Sequence, residues 1–199
     1  MNIPNLASTA DLLDGAVSYL THLHDSLALI PDPAYTHVSA ALPGSTIGKH
    51  VRHILDHFSL FLAAAAAAAD PAVEAPCISY SHRERSPGTE TFVKEGQRAI
   101  MNMVARLRSL KNGHMPQPDS PVTIEDTLPP SASHQKEGDS AFVSSWAREL
   151  WFCTHHMIHH NAIIACLMHE AGLHPPKEFA YAPSTLKRSS TTHNTNSDH

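Results

Sequence analysis

The stretch from about Phe142 to Ala171 most narrows what this chain can become, because it reads as one long helix with a defined end. Gly172 stands where a helix commonly closes, and Pro175 and Pro176 forbid continuation beyond it. Such a helix needs partners against which to bury an apolar face. Three other segments supply them. Residues 9–29 carry Leu13, Val17, Leu20 and Leu27 at helical spacing, with Ser8 or Thr9 able to cap the start. A second helix starts at Ser45 or Thr46 and runs to about Ala69, with Ile47, Val51, Ile54, Leu55, Phe58 and Leu62 as its apolar arc. The alanine run from Ala63 to Ala69 extends it, and Asp70-Pro71 stops it. A third covers Thr89 to Leu110, with Ala99, Met103, Val104 and Leu107 facing inward.

The connections are long. Pro31, Pro33, Pro43 and Gly44 punctuate the first, and residues 70–88 and 111–140 read as irregular. VTIEDTL in the last is a marginal strand that adds nothing to the expected fold. The polar residues from 183 to 199 have no pattern and are expected to be a disordered tail, leaving residues 1–182 as one domain. The expectation is an all-α fold, a four-helix bundle with long irregular crossovers.

Composition removes several functions. At 199 residues the chain is long enough for one domain with a real core, and its formal net charge of -5 offers no basic footprint for nucleic acid. No segment approaches the roughly 20 apolar residues of a membrane span. The opening residues MNIPNLASTADLL lack a secretory pattern. Cys77, Cys153 and Cys166 are odd in number and dissimilar in setting, which fits reduced thiols and a cytoplasmic location.

Histidine is the anomaly: 17 residues, against 14 Lys and Arg together. Two stretches concentrate it, GKHVRHILDHF in the second helix and ELWFCTHHMIHHNAII in the fourth. At about 100° per residue, His50, His53 and His57 fall within about 60° of one another beside the apolar arc. His156 and His160 share a face with Glu149, Cys153 and Leu167, while His155 and His159 are rotated away. Two imidazoles at i and i+4 can bind one metal ion, and a third from a facing helix completes a set with an open position. His53 is the natural third ligand. A buried cluster of neutral imidazoles without an ion would need many specific hydrogen-bond partners. Cys153, one turn before His156, reads either as an extra soft ligand or as an ordinary buried thiol.

These residues resemble the DinB-like family, which includes YfiT-type metal-dependent hydrolases and bacterial thiol-dependent transferases. The likeness rests on IGKHVRHILDHF, SYSHRERSPGTE, SSWAREL, THHMIHHNAII and FAYAPSTLK, and spans roughly Thr46 to Thr185. It implies a bundle of up-down-down-up topology, often dimeric, with a Zn, Ni or similar ion on His53, His156 and His160. It also directs attention to Tyr80, Arg83 and Arg85 in the long crossover and to Arg148 and Glu149, which read either as a structural ion pair or with Glu149 orienting a metal-bound water or a ligand imidazole. The paired arginines suit a carboxylate or phosphate, or are simply solvated loop charges.

The functional expectation is therefore one divalent ion per chain (Zn, Ni or Fe) in a metal-dependent hydrolase or thiol S-transferase. The substrate would be a small molecule, with a low-molecular-weight thiol as cosubstrate. Glu149 and His57 are the proton-transfer candidates; His50, His57 and His159 also read as supporting groups or alternative ligands. The rivals are a non-catalytic metal-binding or stress-response bundle, and a hemerythrin-like di-iron protein. The second is short of bridging carboxylates, since only Asp56 and Glu149 lie nearby in sequence.

Overall fold

A computed structural model describes residues 8–70, 72–73, 76–81, 87–113, 115–126, 140–182 and 185. The expected 183–199 tail lies, apart from Thr185, outside them.

The protein is mostly helical. Four long helices carry the mass: α1 (Thr9–Leu27), α3 (Ile47–Ala67), α5 (Val93–Asn112) and α6 (Trp146–Glu170). Two short ones, α2 (Asp32–Tyr35) and α4 (Pro87–Thr91), lie in the connections. Helix starts follow local chemistry. Ser8 and Asp11 form a reciprocal capping box for α1, and the Thr46 hydroxyl accepts from the Lys49 N–H at 3.1 Å to open α3. At the far end of α6, Gly172 takes φ +75° and lets the Leu173 N–H reach back to the Met168 carbonyl at 2.8 Å.

Helix α1 packs on α5 and α6, and α3 packs on the same two. The four therefore enclose one core, in which Leu20, Leu23, Phe58, Phe61, Ile100, Leu107, Leu150 and Met157 are fully buried.

Three expectations are corrected. The chain is not all-helical: β1 (Cys77–Ile78) pairs parallel with β2 (Pro121–Asp126), which pairs antiparallel with β3 (Ser140–Ser145). Alternation explains β2, where Val122 and Ile124 are buried on one face while Thr123 points the other way. The fourth helix also begins later than its pattern suggested. Residues Phe142 to Ser145 pair with β2, and the Ser145 hydroxyl then caps α6 by accepting from the Arg148 N–H at 3.4 Å. The third helix is divided at the extended Phe92, with Thr91 ending α4 and Val93 opening α5. Among the described residues, no helix is long and apolar enough to cross a membrane.

Two glycines of the core, Gly48 and Gly96, lie close against Tyr35. Its ring is fully buried and its hydroxyl donates to the Thr89 carbonyl at 2.7 Å. Gly48 of α3 lies against both the Tyr35 ring and the Glu90 carbonyl, so that any Cβ there would collide with backbone. Gly48→Ala is therefore expected to cost about 1–3 kcal/mol through overpacking, read as a lowered thermal midpoint without loss of helical circular dichroism.

Candidate metal centre

Helix α3 presents His50, His53 and His57 to α6, which returns His156 and His160. The apolar neighbours on both helices (Val51, Ile54 and Phe58; Cys153, Met157 and Ile164) are buried, so packing them fixes the separation of the imidazoles. His53 Nε2 lies 2.8 Å from His156 Nε2, and His156 Nε2 lies 3.1 Å from His160 Nε2. His50 Nδ1 approaches His160 Nδ1 to 2.8 Å. One nitrogen each of His53, His57 and His156 falls within 4.8 Å of the others, close enough for three side chains to hold one ion.

Protonation follows from the partners. His57 Nδ1 lies 2.9 Å from the His53 carbonyl, which only accepts, so Nδ1 carries the hydrogen and Nε2 is the lone-pair nitrogen. His156 Nε2 faces two imidazole nitrogens at once. An imidazole nitrogen has one hydrogen or one lone pair, so two such contacts cannot both be good hydrogen bonds. A divalent cation resolves the conflict by taking a lone pair from each, at bonds of about 2.0–2.1 Å. The donor set therefore fits a transition metal that prefers imidazole.

Burial, followed by the mutual influence of His156, His53, His50 and His159, pushes the His160 pKa down to about 2. His50 is lowered as well, first by burial and then by His159. Both rings are thus held neutral, the form that donates to a metal.

The surroundings are specific. Glu149 is buried, its Oε2 accepting from the Tyr80 hydroxyl at 2.9 Å and its Oε1 from the Ser144 hydroxyl at 2.6 Å. The Tyr80 ring stacks on His57, with centroids 5.0 Å apart and planes 15° apart. Cys153 Sγ lies 3.6 Å from the Tyr80 oxygen, and burial raises its thiol to about 12. It is therefore an inert buried thiol rather than a ready ligand. Phe152 lies face-on to His156 at 5.5 Å.

The residues singled out in the sequence thus divide. His53, His57, His156 and His160 come together with His50 behind them, and Tyr80 and Glu149 form a buried pair beside His57. His159 is exposed, its ring 5.2 Å from that of His160. Arg148 does not pair with Glu149; its guanidinium lies over Trp151 and Phe152. Arg83 and Arg85 fall outside the described residues. Ser144, Trp151 and Phe152 carried no metal-ligand spacing and were not anticipated.

The pKa shifts predict a pH dependence with a definite sign. His160 is neutral in the fold, whereas an unfolded histidine takes up a proton near pH 6.5. The unfolded chain then binds more protons, so the metal-free protein should lose stability as pH falls below about 6.5. Denaturant midpoints between pH 7.5 and 5 measure this, and His160→Phe should flatten the slope.

Comparison with known proteins corrects the family expectation. No family model matches the chain, DinB-like models included, and no solved structure matches it. It is similar to FK506-binding protein 5 of Rhizopus delemar, with 44% identity over 69 residues. The shared stretch covers 35% of this chain and 17% of that protein, so the chain spans under a fifth of its relative's length. The detected sequence relationship is to part of a protein of that name, and the DinB-like assignment is set aside.

Proposed function

We propose that this protein binds one divalent transition-metal ion (Zn, Ni or Fe) within a four-helix bundle, at the meeting point of α3 and α6. The observation that carries this reading is the convergence of His53 Nε2 and His160 Nε2 on His156 Nε2, at 2.8 and 3.1 Å. His53 and His156 are ligands in either arrangement, and the third is His160 or His57. The one that stays off the ion has a lone-pair nitrogen beside the open position.

Three imidazoles with an open position form the pattern of a catalytic ion. Bound there, a transition metal lowers the pKa of a water or a low-molecular-weight thiol and supplies a nucleophile at neutral pH. We infer hydrolysis or thiol-dependent transfer on a small-molecule substrate, with whichever of His57 and His160 stays off the ion as the proton-transfer group. Glu149 is a poorer candidate, since both its oxygens are engaged by hydroxyls; it holds Tyr80 against His57.

A second reading has its own support. His57 belongs to the group of nitrogens within 4.8 Å, and His160 contacts His156 directly. If both bind, four ligands close the tetrahedron, and the ion serves stability alone.

Elemental analysis of untagged protein is expected to find about one ion per chain, reduced to background in His53→Ala and His156→Ala. Metal-free wild type, or full occupancy in both variants, would sink the proposal. In the cobalt form, ligand-field bands that move on adding azide or a thiol support the open site, whereas bands insensitive to both support the closed one.

A further inference from the structure

The histidine centre is rich in neutral donors, so a divalent ion held there keeps its full positive charge. Asp56, on the ligand-bearing helix α3, is occupied by Arg52 at 3.7 Å, and Glu149 by two hydroxyls. Arg148 adds a second cation nearby. It is exposed and, among the described residues, has no acidic partner.

An arginine on a helix surface ordinarily samples many rotamers in water. Arg148 is constrained by its own helix, because Trp151 and Phe152 follow at three and four residues. Its guanidinium carbon lies 5.0 Å from the Trp151 ring centroid and 5.7 Å from that of Phe152. Phe152 in turn lies against His156, with planes 23° apart, and against Tyr80 at 5.2 Å. A single aromatic ring therefore separates the oriented guanidinium from a metal ligand. Trp151 is 43% exposed, which leaves an apolar surface beside the cation. A guanidinium held in place offers a planar fork that matches a carboxylate or phosphate in two parallel hydrogen bonds.

We propose that Arg148 is the anion-receiving residue of the histidine centre. Its ligand carries a carboxylate or phosphate-type head on a short apolar body that lies along Phe152 and Trp151 toward the metal. The inference rests on the metal-binding reading of the cluster and names the substrate class for it.

The test runs in two stages on the full chain. Zinc alone is first titrated calorimetrically into wild type, Arg148→Gln, Arg148→Lys and Trp151→Ala, with equal uptake expected in all four. Wild type that takes up no zinc overturns the metal reading, and this proposal with it, before any anion is added. Phenylphosphonate and benzoate are then titrated into the zinc forms, with benzyl alcohol as the neutral control. Wild type is expected to bind at least one anion, and the preferred head distinguishes phosphate-type from carboxylate ligands. Arg148→Gln should weaken that binding about tenfold or more, with Arg148→Lys and Trp151→Ala in between. The alcohol should be insensitive to both Arg148 substitutions. Equal anion affinity in wild type and Arg148→Gln, or no anion binding by zinc-loaded wild type, overturns this proposal and leaves the metal reading standing.

Discussion

The packing of α3 against α6 is the constraint from which the rest follows. Each helix has one buried stripe, and the imidazoles grow from the edge of that stripe rather than from a separate surface. With Val51, Ile54 and Phe58 of α3 and Cys153, Met157 and Ile164 of α6 all buried in one core, the distance between His53 and His156 is no longer adjustable. Burial of apolar area therefore does the work of bringing polar nitrogens to about 3 Å, a separation that they would not choose by themselves in water.

Groups that look peripheral maintain this arrangement. The His53 carbonyl fixes the tautomer of His57 from within the same helix. The Tyr80 ring covers the other side of His57, and its hydroxyl is fixed by Glu149, which also takes the Ser144 hydroxyl from β3. The small sheet thus delivers a hydrogen bond to the first turn of α6, a few residues before the first α6 histidine of the cluster. Outer partners of this kind set ring orientation and basicity as much as the ligands themselves do.

Much of this was legible in the sequence, and the missing parts have physical reasons. Helical periodicity placed the long helices, and Ser8, Thr46 and Gly172 marked their ends as capping chemistry predicts. The i,i+4 histidines announced a cluster, because that spacing fixes a face whatever the tertiary structure. Of the sheet only β2 was legible, as the marginal strand in VTIEDTL: β1 is two residues long, and Phe142 to Ser145 merge into a helical pattern until pairing with β2 decides the matter. Nor did spacing reveal that Arg148 turns to Trp151 and Phe152 instead of Glu149, since a rotamer depends on what the neighbouring helix has buried. His57 and His160 stand on equal terms for a similar reason, because helix geometry gives direction but not depth. Motif likeness alone proved a poor guide to family.

His53 and His156 are 103 positions apart in the chain. Any ion they share is in effect a reversible cross-link that closes a loop of that length, and such a closure acts chiefly on the unfolded ensemble, whose freedom it removes. Availability of the metal would then govern how often the whole molecule opens, and not only what happens at the histidines. Residues that touch none of the histidines, such as Asp14 and Lys111 where α1 meets α5, would feel its departure through chain connectivity alone.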